Sequence, residues 1–245
     1  MEIALSDDVT IDQESADNTT ILTNCSTYVE KPVNVQLIRS KFSPLYYNTF
    51  CSPVSMTNSE IKTLFGDTTH LVEFDKAVVK DDTLRLNFKD ATSIVAGQPY
   101  LIKPEKSITD PRFTGITPSA LATSGATVEG TDASFYGILS PLDITDEWAD
   151  GKNFIFLLAD NKFTYATGGT LKGMRAYFLL DNDVEPGVLA HSPKMRINYE
   201  AEGGQTPTAI DKTQTEVKAE KVMENGVMYI IKNGVKYSVM GERVR

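Results

Sequence analysis

Two short segments rich in carboxylates are the best candidates for metal binding in this chain. Asp146 and Asp150 belong to the first segment, and Asp181 and Asp183 to the second. Carboxylate oxygens are the ligands that a hard cation such as Ca²⁺ prefers. Neither segment has the Asp-x-Asp-x-Asp-Gly spacing with a distal glutamate that marks a calcium loop. Calcium is therefore the one cofactor that the sequence suggests, and solvated acidic turns are the alternative interpretation.

Two aromatic residues, Trp148 and Tyr136, are candidates for ligand binding. Trp148 is the only tryptophan and lies in a polar segment, whereas Tyr136 lies in a strand-like one. An aromatic ring with one apolar face and a polar handle can stack on a sugar when it is exposed at the surface of a β-domain. The competing interpretation of Trp148 is a plug over the edge of the core.

The sequence signals for a catalytic site are weaker than those for metal or ligand binding. The Gly-x-Ser-x-Gly elbow of a serine hydrolase is absent from the sequence. A cysteine nucleophile would require Cys51 to meet His70 in space, and His191 lies in a segment typical of a surface loop. A pair of carboxylates about 5 to 9.5 Å apart, as in glycosidases, stays open as an alternative because the chain has 33 acidic residues. We predict no catalytic residue and favour a non-enzymatic protein.

The chain contains two cysteines, Cys25 and Cys51. A disulfide between them can form in an oxidising compartment. Two buried, reduced thiols that pack as small hydrophobic residues are the favoured interpretation.

Composition excludes several classes of partner. Acidic residues outnumber basic ones by 33 to 24, which gives a formal net charge of −9. A nucleic-acid-binding surface needs clustered Lys and Arg, and no such cluster is present, so we predict no nucleic acid partner. No apolar run approaches the ~20 residues that span a bilayer, so no membrane insertion is expected. The first residues lack the pattern of a signal peptide, and we expect that a leader was removed before Met1, with a cytoplasmic protein as the alternative.

The elements that must position these residues are mainly strands. Alternating apolar and polar residues, bounded by turn formers such as Asp81-Asp82, predict antiparallel strands. The segments 33–38 and 83–89 have this pattern, and 71–75, 113–116, 134–139 and 174–180 also suit strands because they are rich in β-branched and aromatic residues. Short strands at regular spacing predict an all-β, antiparallel β-sandwich of jelly-roll type. One short helix is expected at 57–66, where Thr57 and Glu60 form a capping box and Gly66 ends the helix.

The C-terminal fifth of the chain differs from the rest. Residues 201–218 are small and polar with Gly-Gly and Pro, which is typical of a linker. Within 219–245, two strand-like runs flank Asn233-Gly234, the strongest short signal for a β-hairpin. The sequence thus predicts a β-sandwich domain at 1–200, a linker at 201–218 and a C-terminal hairpin segment at 219–245. Because isolated hairpins are marginal, we expect this segment to pack on another surface.

Three internal motifs and the tail carry a family resemblance. The motifs are Tyr47-Asn-Thr-Phe-Cys-Ser-Pro-Val54, Val95-Ala-Gly-Gln-Pro-Tyr-Leu-Ile-Lys103 and Lys172-Gly-Met-Arg-Ala-Tyr-Phe178. In this order the chain resembles a recurrent secreted surface β-domain of Bacteroides- and Prevotella-type bacteria with a C-terminal sorting-like segment. The resemblance covers about residues 5–200 and the tail from about 208. Tyr47, Ser52 and Val54 depart from the Trp, Leu and Phe that are usual in the first motif.

The resemblance implies a location and scaffold residues, but no reaction. It implies a secreted protein or one on the outer-membrane surface, and the motifs are typical of structural positions. Arg175, inside the third motif, is expected to be buried and paired, with ligand binding as the alternative. We predict a non-enzymatic binding or adhesion module, with glycans or a host or bacterial surface protein as partners. The alternatives are a polysaccharide-acting hydrolase and an accessory structural module of an envelope assembly.

Overall fold

The computed structural model of the protein describes residues 8–146, 153–181, 188 and 191–197, together with three strands between 219 and 238. The chain divides by its contacts into two units, Met1–Tyr199 and Glu200–Arg245. The first unit contains fifteen strands among its described residues: β1 Asp8–Asp12, β2 Val33–Ile38, β3 Asn48–Cys51, β4 His70–Lys80, β5 Thr83–Asp90, β6 Pro99–Lys103, β7 Arg112–Ile116, β8 Thr127–Val128, β9 Ala133–Ile138, β10 Leu142–Asp143, β11 Phe154–Leu157, β12 Phe163–Ala166, β13 Thr170–Leu171, β14 Arg175–Leu180 and β15 Lys194–Ile197.

Two five-stranded sheets form the larger part of this unit. Their strand orders are β15-β5-β4-β6-β3 and β12-β11-β14-β9-β8. Aromatic rings of the two sheets meet in a shared core, where Phe74 lies 6.0 Å from Phe135 and Phe88 lies 6.0 Å from Phe178 between ring centroids. The hairpin between β4 and β5 closes through Asp81 and Asp82, which have φ of 52° and 53°. Positive φ at both central residues is the geometry of a type I′ turn, and the sequence predicted a turn at this pair without its type.

A third sheet has the order β1-β2-β7 and lies on a second core. β1 and β2 run parallel. Parallel neighbours require a crossover connection, usually a helix. The crossover is helix α1, Asn18–Tyr28, which buries Leu22 and Cys25. The second core also contains Phe42, Phe50 and Phe65, whose rings contact each other edge to face.

The second helix is the one that the sequence predicts. α2 spans Asn58–Phe65. Thr57 accepts a hydrogen bond from the backbone N–H of Glu60, and the Glu60 carboxylate accepts one from the backbone N–H of Thr57. The capping box is therefore confirmed. Ile61 and Phe65 are buried, and Gly66 follows with φ of 105°.

The prediction of an all-β fold is confirmed in its coarse form, and two of its details are wrong. The strands are not all antiparallel, because β1 pairs with β2 and β5 with β15 in parallel. The described residues contain two α-helices rather than one. α1 escaped prediction because it is rich in Thr, Ser and Asn and has no side-chain cap at Asp17. The jelly-roll arrangement stays a prediction.

The second unit contains a small antiparallel sheet. Its strands are β16 Ala219–Glu224, β17 Val227–Lys232 and β18 Val235–Ser238 in that order. The predicted pairing around residues 233–234 is confirmed, since Lys232 is the register partner of Val235. The element is a three-stranded sheet rather than a hairpin alone. Residues 201–218, the predicted linker, and the turn residues Asn233 and Gly234 lie outside the described residues.

Candidate functional site

A pair of stacked tyrosines occupies the face of the β12-β11-β14-β9-β8 sheet that points away from the shared core. Tyr136 on β9 and Tyr177 on β14 are direct cross-strand partners. Their ring centroids are 5.2 Å apart and the rings are nearly parallel, with an interplanar angle of 9°. Both side chains are half-buried, whereas Ala176 and Phe178 beside Tyr177 are buried in the core. Tyr136, predicted as a ligand-binding residue, therefore lies beside a second aromatic ring that the sequence suggested only as scaffold.

Arg175 lies on the same face, two residues before Tyr177. Its side chain is half-buried, and its Nη2 donates a hydrogen bond of 2.6 Å to Oγ of Ser40. Burial lowers the pKa of the guanidinium, and the charge of Glu14 opposes this effect. The expectation of a buried, paired Arg175 is met only in part, because its hydrogen-bond partner among the described residues is a neutral hydroxyl.

Polar residues at the carboxyl ends of the parallel strands β1 and β2 lie next to Arg175. Gln13 follows β1, and Arg39 and Ser40 follow β2, so the carboxyl ends of these neighbours meet at one edge of their sheet. Ser40 donates from both N and Oγ to Oε1 of Gln13, at 3.0 and 2.9 Å. The backbone N–H of Gly173 donates to the carbonyl of Gln13 at 2.8 Å. This last bond fixes the start of β14, and with it Arg175, at the same place.

Arg39 is the most unusual residue of the cluster. Its exposed fraction is 3%, and its Nη2 donates to the carbonyl of Thr49 at 2.6 Å. The guanidinium carbon lies 3.7 Å above the ring of Phe42. Nε and Nη1 are buried without a hydrogen-bond partner among the described residues. Burial, and secondly the charge of Arg175, hold the pKa of Arg39 well below its ordinary value.

A hydrogen-bonded chain of Tyr47, His70 and Asp90 is a second constellation, which sequence reasoning did not identify. The Tyr47 hydroxyl lies 2.5 Å from Nδ1 of His70, and Nε2 of His70 lies 2.8 Å from Oδ1 of Asp90. Burial, and secondly the charge of Asp90, raise the pKa of the Tyr47 phenol. The phenol thus retains its proton, and the three hydrogen-bonded side chains connect the residue before β3 to the start of β4 and the end of β5.

The burial and hydrogen bonding of Cys51 do not suit a nucleophile. Its thiol is fully buried and donates to the carbonyl of Gly97 at 3.1 Å, while both ring nitrogens of His70 have other partners. Burial raises the pKa of Cys51 to about 12. Cys25 is also buried, and both cysteines are free thiols. The favoured interpretation of two buried, reduced cysteines is confirmed.

The three motifs that carry the family resemblance come together in the fold. The backbone N–H of Cys51 donates to Met174, and that of Gly97 donates to Ser52. An added Cβ at Gly137, the register partner of Ala176, would lie 2.8 Å from both the Cys51 sulfur and the Gly97 carbonyl oxygen. Close backbone approach explains glycine at this position.

The acidic candidates for calcium are only partly described. Asp146 and Asp181 are exposed, and the backbone N–H of Asp181 donates to the carbonyl of Asp132. Trp148, Asp150 and Asp183 lie outside the described residues. Among the residues that the structure describes, no group of three or more His, Cys, Asp or Glu side chains is arranged to hold a metal ion. His191 is exposed.

Comparisons with known proteins add no identification. No protein-family model, no curated protein and no solved structure matches the chain. Within the described part of the chain, neither helix has the length and apolar character needed to cross a membrane.

Proposed function

We propose that this protein is a non-enzymatic binding or adhesion module that holds a glycan on the outer face of the β9 and β14 strands. The observation that carries the proposal is the parallel Tyr136–Tyr177 pair with Arg175 two residues away on the same face. Aromatic rings offer apolar surface at a low cost in conformational entropy, and a guanidinium supplies donors to the hydroxyl groups of a sugar. Half-burial of the three side chains favours a preorganised surface.

Alanine substitutions of the two tyrosines test this proposal. Tyr136→Ala and Tyr177→Ala are compared with Tyr28→Ala, because Tyr28 is 73% exposed on α1 and so provides a matched tyrosine outside the site. A glycan array with the full-length protein identifies a ligand, and isothermal titration then measures its affinity. Removal of an aromatic anchor is expected to weaken binding by about 30-fold, the equivalent of about 2 kcal/mol. Equal losses in all three variants, or none in Tyr136→Ala, would contradict the proposal.

The location is a second part of the proposal. We infer that the protein is secreted or displayed on the outer-membrane surface, supported by the resemblance of the tail and of the three motifs. Cells expressing the full-length gene with and without residues 216–245 are fractionated, and surface exposure is measured with protease. Deletion of the tail is expected to abolish display, whereas unchanged display would reject a sorting role.

The jelly-roll character of the fold belongs to the same proposal. The aromatic contacts between the two five-stranded sheets support the sandwich packing that a jelly roll requires. An experimental structure of the full chain tests it directly through the order in which strands alternate between the sheets.

A further inference from the structure

Two arginines belong to one polar cluster at the end of the proposed binding face. Nη2 of Arg175 donates to Oγ of Ser40 at 2.6 Å, and Ser40 directly follows Arg39 in the chain. Like charges in a poorly solvated environment repel each other and lose hydration. Such an arrangement is stabilised when an anion binds between or beside the two cations.

Neither guanidinium is paired with a carboxylate through a hydrogen bond among the described residues. Two acids that contact the cluster or act on its charge have other partners: Oε1 of Glu14 lies 2.5 Å from Nζ of Lys172, and Oδ1 of Asp110 accepts from the backbone N–H of Arg39. Arg39 instead donates to a carbonyl, and Arg175 to a hydroxyl. The charge of Glu14 acts on Arg175, but the Glu14 carboxylate is paired with Lys172, so neither arginine has a hydrogen-bonded carboxylate partner among the described residues.

The two arginines have different accessibility. Arg175 is half-buried and Ser40 is exposed, so a ligand can reach both from the surface. Arg39 is almost fully buried, with Nε and Nη1 unpartnered. A ligand would thus touch Arg175 and Ser40, while the buried Arg39 adds positive potential that solvent ions screen only weakly.

We propose that Arg175, Ser40 and Arg39 form an anion-binding subsite that accepts the carboxylate of an acidic sugar whose ring packs on Tyr136 and Tyr177. This inference rests on the proposed function and names its ligand class. Arg175 and Tyr177 are two residues apart on β14, which places their Cα atoms ~7 Å apart on one face of the sheet. That separation suits a single sugar residue with the carboxylate at one end and its apolar ring face at the other.

The test compares glucuronate with glucose, with sulfate and acetate as simple anions. Binding to the full-length protein is measured by NMR titration at low salt for wild type, Arg175→Gln, Ser40→Ala and Tyr136→Ala. Arg85→Gln is the matched control, because it removes one arginine charge from β5, where Arg85 pairs with Asp81. Thermal unfolding of each variant verifies that it is folded.

We expect glucuronate to bind at least about 10-fold more tightly than glucose, a preference of about 1.4 kcal/mol. Arg175→Gln should abolish this preference, Ser40→Ala should reduce it, and Arg85→Gln should leave it unchanged. Added salt should weaken glucuronate binding more than glucose binding.

Other outcomes separate the two proposals. Equal binding of glucose and glucuronate that depends on Tyr136 would overturn the anion subsite and leave the glycan-binding function intact. A preference for glucuronate that depends on Arg175 but not on Tyr136 would support the subsite and reject the tyrosine platform. Sulfate and acetate binding as tightly as glucuronate would overturn the assignment to an acidic sugar. No binding of any of the four probes would overturn the anion subsite, and the glycan array then decides the glycan-binding function by itself.

Discussion

At the scale of single residues, the contacts of Arg39 stabilise the folded protein while the burial of its charge destabilises it. Its hydrogen bond to Thr49 and its position over Phe42 stabilise it by about 1.5–3 and about 2 kcal/mol. Burying a charge without a counter-ion costs several kcal/mol, which is at least as large. The folded protein without a ligand therefore gains little or nothing from this guanidinium.

Replacement of Arg39 by methionine tests this balance. Arg39→Met removes the buried charge and keeps an apolar chain of similar length over Phe42, so the free energy of unfolding should stay within about 1 kcal/mol or rise by up to about 2 kcal/mol. Arg39→Lys is the control, because it keeps the charge but loses the planar group, and it should be destabilising. Urea denaturation measures both. A loss of more than about 3 kcal/mol in Arg39→Met would indicate a paired, structurally essential arginine.

Cys51 makes stability depend on alkaline pH. Burial raises the pKa of its thiol from 9.0 to about 12, so the folded state retains a proton that the unfolded state loses. A raised pKa contributes stability that is complete below pH 9 and is lost as the pH rises from 9 towards 12, by up to about 1.4 kcal/mol per pH unit.

Cys51→Ala should therefore be less sensitive to pH than wild type. The variant loses packing and about 1 kcal/mol at pH 7, but its free energy of unfolding should fall less steeply between pH 9 and 10.5. Denaturant titrations at a series of pH values measure both slopes. Identical slopes would show that the thiol is not buried. Iodoacetamide should modify neither cysteine in the native protein, and both after unfolding.

The residues of the candidate site differ in how readily the sequence reveals them. Tyr136 could be predicted because an aromatic residue in an alternating strand is visible in the sequence alone. Gln13 and Ser40 could not, because they meet only when β1 and β2 run parallel. That pairing depends on α1, a helix formed by poor helix formers. Spacing of Leu22, Cys25 and Val29 at three and four residues was the one available signal.

At the scale of elements, the sequence predicted the features that depend on interactions between residues a few positions apart. The capping box of α2 and the Asp81-Asp82 turn act over a few residues, and both were predictable. The parallel pairing of β5 with β15 joins segments about 100 residues apart, and periodicity contains no information on such partners. The parallel pairings of β5 with β15 and of β1 with β2 therefore depend on tertiary packing.

Gly137 tests how tightly the three motif-bearing elements pack. An alanine Cβ at this position would lie 2.8 Å from the Cys51 sulfur and from the Gly97 carbonyl oxygen. Gly137→Ala should destabilise the protein by about 3 kcal/mol, the upper end for overpacking, because a backbone atom must move. Gly115→Ala is the control: no atom lies within 4 Å, and its φ of +67° should cost only about 1 kcal/mol. If urea denaturation finds equal losses, the junction is looser than this packing implies.

At the scale of the whole molecule, both hydrophobic cores that the structure describes belong to the first unit. All described members of both hydrophobic cores lie between Val9 and Ile197, within the first unit. Among its described residues the second unit has one antiparallel sheet of three strands, the smallest sheet that can be stable by itself, and then only with a packed hydrophobic face.

We therefore expect residues 1–199 to unfold cooperatively when expressed alone, with a denaturant midpoint close to that of the full chain. Residues 200–245 alone should show no cooperative transition, because three short strands cannot offset the conformational entropy lost on folding unless another surface covers them. Circular dichroism during urea titration of the two fragments and the full chain makes the comparison, with an equimolar mixture of the fragments as the control. Cooperative unfolding of 200–245 by itself would establish an autonomous module. Recovery of its strand signal only in the mixture would identify the first unit as the surface on which it folds.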